Sequence, residues 1–121
     1  MKQALVVDDS KIVRKVTRRI LESFSYSIEE AADGQQALDA CKNAMPDLVM
    51  LDWNMPVMDG LEFLIALRAM PNGTDPKVIF CTTENEFSRI QTAIQSGADE
   101  YVMKPFDEEI VKSKLEQLGL L

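Results

Sequence analysis

The sequence predicts an α/β domain in which a parallel five-stranded sheet is covered by helices on both faces. Short runs of branched apolar residues alternate five times with longer segments of helical spacing, which is typical of repeated βα units. Three of the five runs are almost continuously apolar, as expected for strands covered on both faces. The 121 residues fit one compact domain. We therefore expect residues 1–121 to form a single domain.

Each predicted strand is a short apolar segment bounded by polar or turn residues. In chain order the strands are Gln3–Val7, Ser27–Ala31, Leu48–Leu51, Lys77–Cys81 and Glu100–Met103. The first helix follows a Ser10 cap. Its apolar stripe is predicted to face the sheet and consists of Ile12, Val13, Val16, Ile20, Leu21 and Phe24. Its other face is basic and carries Lys11, Arg14, Lys15, Arg18 and Arg19.

The second and third helices are bounded by capping and turn residues. Asp33 opens the second helix and Pro46 stops it, because proline cannot continue a helix. Its inward residues are predicted to be Ala37, Leu38 and Cys41. The third helix is predicted from about residue 60 to residue 70. A turn cluster at 71–76 then returns the chain to the sheet.

The last two helices complete the alternation. The fourth carries the apolar residues Phe87, Ile90 and Ile94 and ends at Ser96-Gly97. The fifth starts at Asp107, where the following acidic residues favour the positive end of the helix dipole. The chain thus reads as five βα units.

Composition excludes several classes of function. Thirteen basic against 20 acidic residues give a formal charge of -7, which argues against a general nucleic-acid binder. No apolar stretch approaches the ~18 residues that span a membrane, and the N-terminal run is too short for a signal peptide, so we expect a cytoplasmic protein. Cys41 and Cys81 fall in apolar segments and are expected to be buried thiols. Histidine is absent, so any histidine chemistry must come from a partner.

Polar residues follow four of the five strands. They are Asp8-Asp9, Asp52, Thr82-Thr83 and Lys104-Pro105, whereas the second strand ends in Ala31-Ala32. Ligands of open parallel sheets bind at the carboxyl ends of the strands. A strand order of 2-1-3-4-5 with right-handed crossovers would leave the second strand at an edge and bring the other four ends to one cleft.

The carboxylates in this cleft predict a bound cation. Asp8, Asp9 and Asp52 would repel one another, which raises their pKa values unless a cation compensates. Mg²⁺ prefers oxygen ligands and commonly binds one or two carboxylates and a phosphate. A carboxylate is also a nucleophile for phosphoryl transfer, with Lys104 and the Thr82 hydroxyl able to stabilise the transferred charge. Each motif alone is more simply explained as a turn, a cap or a surface residue, but their joint placement favours phosphoryl chemistry.

These motifs resemble the receiver domains of two-component response regulators, and more closely the stand-alone chemotaxis type. The resemblance covers the whole chain, from Val-Val-Asp-Asp-Ser at 6–10 through Asp-Trp-Asn-Met-Pro-Val-Met-Asp-Gly at 52–60 to Lys-Pro-Phe at 104–106. It implies a flavodoxin-like doubly wound sheet and no output domain. It also implies a signalling switch, phosphorylated on Asp52 by a histidine kinase or histidine phosphotransfer protein, that catalyses only its own phosphorylation and dephosphorylation. We expect a monomer, although the surfaces of the fourth and fifth helices mediate dimers in some relatives.

The resemblance assigns a role to each residue around the metal. Asp9 would bind Mg²⁺ directly, and Asp8 would act mainly through water. Asp52 and the backbone carbonyl of Asn54 would complete the protein ligands. Lys104 would pair with the phosphoryl oxygens.

Other residues would carry the switch. Thr82 is similar to the family's switch hydroxyl and is preferred to Thr83, while Tyr101 resembles the aromatic residue that moves inward with it. A half-buried strand tyrosine is the plain alternative for Tyr101. The bond between Lys104 and Pro105 is expected to be cis. The output surface would include residues 86–95, Tyr101 and residues 112–114.

Two further positions concern the lifetime of the phosphoryl group. Asn54 and Glu84 stand two residues after Asp52 and Thr82, where the family controls access of the attacking water, and their identities resemble the short-lived chemotaxis type. Glu84 also fits a plain helix N-terminal carboxylate.

Three alternatives remain open from the sequence. The basic face that includes Arg14 and Arg18 is either solvated or a docking surface for the histidine-containing donor. The chain could also be an aspartyl-nucleophile phosphohydrolase, although such enzymes typically place a second aspartate where Asn54 stands. A receiver-like interaction module that is not phosphorylated is the third alternative.

Overall fold

The computed structural model describes residues 1–83 and 88–121, and these contain five strands and five helices. The strands are β1 (Gln3–Val7), β2 (Ser27–Ala31), β3 (Leu48–Asp52), β4 (Lys77–Thr82) and β5 (Glu100–Met103). The helices are α1 (Lys11–Ser23), α2 (Gly34–Asn43), α3 (Gly60–Arg68), α4 (Ile90–Gln95) and α5 (Glu108–Gln117). The predictions for Glu84 and Phe87 lie outside the described residues.

The sheet is parallel with the order β2-β1-β3-β4-β5, as predicted. The register pairs Val7 with Leu51 across β1 and β3, and Asp52 with Cys81 across β3 and β4. Because these strands end at nearly the same level, the residues that follow them meet at one edge of the sheet. The fold is therefore the expected flavodoxin-like doubly wound one.

Two apolar layers hold the sheet between the helices. Successive residues of a strand point to opposite faces, so alternate positions of β1, β3 and β4 enter different layers. One layer packs against α2 and α3 and includes Phe63, Leu64, Leu67, Val49 and Leu51. The other packs against α1 and α5 and includes Leu21, Val111, Leu115, Leu48 and Met50. β3 is buried along its whole length, which confirms the expected cover on both faces.

The caps that were expected to start helices are present. Side chains of Ser10, Asp33 and Asp107 accept hydrogen bonds from backbone N–H groups in the first turns of α1, α2 and α5. Small differences concern element ends. β3 and β4 each run one residue further than predicted, to Asp52 and Thr82, and α3 ends at Arg68.

The predicted inward stripe of α1 is wrong at two positions. Ile12 is 77% exposed and Val16 is 49% exposed. Leu21 is buried as predicted, and the other buried position of α1 is Thr17, which the prediction did not include. Thr17 can face the sheet because its hydroxyl donates to the Val13 carbonyl at 2.8 Å, which satisfies the buried polar group. The helix is thus rotated so that an apolar edge remains exposed.

The two cysteines are buried as predicted, and the helices can be compared with the length that spans a membrane. Cys41 and Cys81 are buried free thiols. Burial raises the pKa of the Cys41 thiol to about 11 and that of Cys81 to about 12, which keeps both protonated and unreactive at neutral pH. Among the described helices, none is long and apolar enough to cross a bilayer.

Gly60 is expected to be the glycine at which an added methyl group is most damaging to the site. A Cβ there would lie 2.2 Å from the Asp52 carbonyl oxygen and 3.0 Å from the Phe80 ring. The contact is with backbone, so it cannot be relieved by a rotamer change. We expect Gly60→Ala to lower the free energy of unfolding by about 2–3 kcal/mol, the upper part of the range for forced overpacking.

Chemical denaturation measures this effect. Gly119→Ala is the matched control, because a Cβ at Gly119 meets nothing within 4 Å and only its φ of +73° opposes the substitution. A left-handed residue of this kind costs roughly 1–2 kcal/mol. Equal or smaller destabilisation at Gly60 would contradict the predicted clash.

Candidate functional site

Three carboxylates meet at the carboxyl edge of the sheet. Asp8 and Asp9 follow β1, and Asp52 ends β3. Ligand atoms from all three lie within 4.8 Å of one another. Asp8 and Asp52 are only 4% and 5% exposed, whereas Asp9 is open to solvent. The β1 and β3 pairing therefore produces the acidic cleft that the strand ends predict.

Lys104 enters this cleft from the end of β5. Its ammonium nitrogen lies 2.8 Å from Asp52 Oδ1 and 3.0 Å from Asp8 Oδ2. Its backbone N–H donates to the Thr82 carbonyl at 2.6 Å, which fixes the chain next to β4. The peptide bond between Lys104 and Pro105 is cis. One lysine thus bridges the two buried carboxylates.

The charges of this cluster depend on one another. Burial raises the pKa of Asp52, and the hydrogen bond from Lys104 opposes that rise while the nearby Asp8 adds to it. Burial alone would lower the pKa of Lys104, but its hydrogen bonds and charge attraction to Asp52 and Asp8 outweigh burial and raise it. Lys104 is therefore a permanent cation at neutral pH.

Asp8 is held from several directions. Its Oδ1 accepts from the Ser10 backbone N–H at 2.9 Å, and its carbonyl oxygen accepts from Arg14 at 2.7 Å. Arg14 is fixed in turn by Glu30 at 3.0 Å. The Asp8 carboxylate is therefore held by the Ser10 backbone N–H on one oxygen and by Lys104 on the other, whereas Asp9 is exposed.

The two predicted switch residues lie on neighbouring strands, Thr82 at the end of β4 and Tyr101 within β5. Thr82 is fully buried, and its hydroxyl donates to the Thr83 carbonyl at 3.1 Å. Tyr101 is half-buried on β5, with the ammonium of Lys114 5.2 Å from its ring centroid. Lys114 also pairs with Glu100 at 3.1 Å. Thr82 thus ends β4 next to the backbone of Lys104, and Tyr101 belongs to the surface formed with α5.

The donor set fits a hard cation. Carboxylate oxygens at this spacing are the ligands that Mg²⁺ prefers. The positive charge of the neighbouring Lys104 would favour an anionic group bound beside the ion. Asp8, Asp9 and Asp52 would hold the ion. Asn54 stands in the loop two residues after Asp52, with an exposed side chain.

Comparison with known proteins identifies the family. The sequence profile described as the response regulator receiver domain matches residues 4–116. The chain belongs to this family.

The receiver domain is similar to both curated proteins and solved structures. It is 43% identical over 111 residues to Protein CcdB of Bacillus subtilis (strain 168), covering 89% of each chain. It is 34% identical to the structure of chemotaxis response regulator CheY4 of Vibrio cholerae, with a TM-score of 0.90 and 98% of both chains covered. The receiver domain of sensor histidine kinase PA1611 from Pseudomonas aeruginosa PAO1, solved with a magnesium ion in its active site cleft, is 27% identical with a TM-score of 0.87 over 96% of this chain and 95% of that one.

Membership places this receiver domain in two-component signalling and confirms the resemblance to the stand-alone chemotaxis type. Receiver domains typically bind Mg²⁺ in an acidic pocket, which the cluster at Asp8, Asp9 and Asp52 provides here.

The sequence prediction missed one residue near the site. Arg89 directly precedes α4, and its Nη1 lies 3.4 Å from Asn54 Oδ1. Its guanidinium carbon also lies 5.3 Å from the ring centroid of Trp53. A long basic side chain at the start of a helix gives no sequence signal for either contact.

Proposed function

We propose that this receiver domain is a phosphorylation switch whose acceptor is Asp52. Its donor is a phosphohistidine of a histidine kinase or phosphotransfer protein. The observation that carries the proposal is the ammonium of Lys104, which contacts Asp52 and Asp8 at once beside a cluster of three carboxylates. The ammonium places one positive charge beside the Asp52 oxygen, where a transferred phosphoryl group would carry negative charge.

The chemistry needs one nucleophile and several stabilising groups. A carboxylate oxygen of Asp52 bonds to phosphorus as the phosphorus–nitrogen bond of the donor breaks, and the imidazole nitrogen keeps the electron pair and takes a proton. Lys104 and the Thr82 hydroxyl would hydrogen-bond the equatorial oxygens. When bound at Asp8, Asp9, Asp52 and the Asn54 carbonyl, Mg²⁺ neutralises part of the transferred charge.

Phosphorylation would then shift a two-state equilibrium. The Thr82 hydroxyl exchanges the Thr83 carbonyl for a phosphoryl oxygen, and Tyr101 moves towards the space that this motion opens. The altered surface of α4, β5 and α5 binds a downstream protein. The net negative charge disfavours nucleic acid as that target. Asn54 and Glu84 set how quickly the receiver dephosphorylates itself.

An apolar groove beside the cleft fits the phosphodonor. It is lined by Ile12, Val13, Val16, Thr17, Lys104, Pro105 and Phe106. The chain has no histidine, so the donor must bring its phosphohistidine to Asp52 and rest on a surface next to the cleft. The groove includes Lys104 itself and the exposed edge of α1. We therefore assign it to an apolar helix of the histidine-bearing partner.

Charge on this groove is expected to slow transfer from a protein donor. Ile12→Asp should reduce the rate of transfer from a phosphorylated phosphotransfer domain by about tenfold or more, since a buried unpaired charge disrupts an apolar contact. Labelling by acetyl phosphate should be unchanged, because that donor needs no docking surface. Stopped mixing followed by intact mass measurement gives both rates.

Ile65→Asp on α3 is the matched control, because Ile65 is 55% exposed and outside the groove. Ile12→Asp is preferable to charge reversal at Arg14 or Arg18. Both arginines form ion pairs with Glu30, which charge reversal would also break. Equal slowing with both phosphodonors would contradict docking in the groove.

The proposed function is tested by incubating the protein with acetyl phosphate and Mg²⁺ and measuring its intact mass. We expect a single phosphoryl adduct that disappears with a chelator and is labile at alkaline pH. Peptide mapping after borohydride reduction should place it on the β3 segment. Sustained turnover of an external phosphoester would instead favour a phosphohydrolase, and no adduct even with a slowly dissociating beryllofluoride analogue would favour an interaction module without phosphorylation.

A further inference from the structure

Arg89 joins the start of α4 to the loop that follows the phosphoacceptor. Its guanidinium reaches Asn54 Oδ1 at 3.4 Å and lies over the Trp53 ring at 5.3 Å. Trp53 and Asn54 are the two residues that directly follow Asp52. The Arg89 guanidinium therefore connects the start of α4 with both residues of the loop after β3.

The Trp53 ring that Arg89 covers is packed in the core. Trp53 is 6% exposed, and its ring centroid lies 5.0 Å from that of the fully buried Phe80 on β4. A cation over a fixed aromatic face has a preferred position. The guanidinium is therefore oriented by the indole, and its hydrogen bond then orients the more exposed Asn54 side chain.

We propose that Arg89 is a positioning residue that lengthens the lifetime of the phosphorylated state by holding the Asn54 side chain across the solvent side of the phosphoacceptor. This inference rests on the proposed phosphorylation of Asp52. It concerns a residue that directly precedes α4 and does not itself contact the reacting atoms.

The direction of the effect follows from the geometry of hydrolysis. A water oxygen bonds to phosphorus as the bond from phosphorus to the Asp52 oxygen breaks, the electron pair stays on the carboxylate, and both water protons remain on the released dihydrogen phosphate. The attacking and leaving oxygens lie roughly in line. Because Asp52 is only 5% exposed and its Oδ1 contacts Lys104, water must approach from the solvent side. The Arg89 and Asn54 pair narrows that approach.

The test is the decay of the adduct after acetyl phosphate is removed by rapid desalting, followed by intact mass. Arg89→Ala should decay about fivefold faster than wild type, the effect expected for loss of one charge-assisted contact. Asn54→Ala should show a similar increase, and the double variant should be no faster than the faster single variant. Multiplied effects would show that Arg89 does not act through Asn54. Unchanged or slower decay of Arg89→Ala would also overturn the inference.

A second readout does not require phosphorylation. Trp53 is the single tryptophan, so acrylamide quenching of its fluorescence should rise in Arg89→Ala and rise less in Arg89→Lys. Lys42→Ala on the exposed face of α2 removes the same charge far from the cleft and should change neither quenching nor decay. Equal quenching of Arg89→Ala and wild type would overturn the contact on which the inference depends.

Failure of phosphorylation and failure of the Arg89 contact give different experimental results. A wild-type protein that forms no adduct would overturn the proposed function and this inference together. A normal adduct whose decay is indifferent to Arg89 would overturn only the role assigned to Arg89.

Discussion

Asp52→Asn is expected to eliminate the metal-dependent phosphoryl adduct, a loss of at least about a thousandfold in labelling rate. The amide has nearly the shape of the carboxylate but lacks the anionic oxygen that attacks phosphorus. The variant also removes one negative ligand from the three-carboxylate cluster, so metal binding should weaken. Intact mass after incubation with acetyl phosphate and Mg²⁺ measures the adduct, and a Trp53 fluorescence titration measures metal affinity.

Asp47→Asn is the matched control for this substitution. Asp47 is an exposed aspartate at the opposite end of the same strand, where its Oδ2 accepts from the Gln3 backbone N–H at 2.8 Å. It should label as fast as wild type. Persistence of a metal-dependent adduct in Asp52→Asn would show that another side chain is the acceptor, and Asp9 would be the first to examine.

Lys104→Met is expected to change metal binding and phosphorylation in opposite directions. The ammonium occupies one oxygen each of Asp52 and Asp8, so it competes with a cation for these two carboxylates. Its removal takes away a charge only 2.8 Å and 3.0 Å from the ligand oxygens. We expect Mg²⁺ to bind about tenfold more tightly, a modest fraction of the Coulomb energy of such a pair.

The same variant should label more slowly. Loss of a preorganised cation beside the transferred group typically costs roughly 10²–10³ in rate. Methionine keeps much of the side-chain length, so the change isolates the charge. Lys77→Met at the start of β4 is the control, because it removes a lysine charge from the opposite end of the sheet.

Both quantities come from one set of samples. Trp53 fluorescence gives the affinity for Mg²⁺, and the initial rate of adduct formation at saturating Mg²⁺ gives the chemical step. Weaker metal binding in Lys104→Met would contradict competition between the lysine and the ion. Unchanged labelling would mean that the ammonium does not stabilise the transferred phosphoryl group.

The sequence was sufficient to predict the sheet and the position of the cleft. Branched apolar runs specify strands locally, and Ser10, Asp33 and Asp107 are capping residues whose signals act within one helical turn. The polar residues after four of the strands then indicate the cleft, because parallel strands point the same way.

The sequence did not determine which face of helix α1 is buried. Around α1 the apolar residues occupy more than one stripe, and successive residues differ by about 100° in direction. A small rotation therefore decides whether Val16 or Thr17 faces the sheet. The burial of Thr17, with its hydroxyl bonded to the Val13 carbonyl, depends on how α1 packs against β1 and β2.

Contacts made by long basic side chains were decided only by the tertiary structure. Lys104 reaches Asp8 across 96 residues of chain, and Arg89 reaches Asn54 across 35. Arg68 similarly bonds the Gly97 carbonyl and the Asp99 carboxylate near the end of α4.

The sequence by itself determined the order of strands and helices, the acidic strand ends and the family, because these follow from local periodicity and short motifs. Only the tertiary structure determined that Lys104 bridges two carboxylates, that α1 exposes an apolar edge and that Arg89 rests on Trp53. Long side chains have many rotamers of similar energy, so their partners are selected by the packing of elements that are distant in sequence.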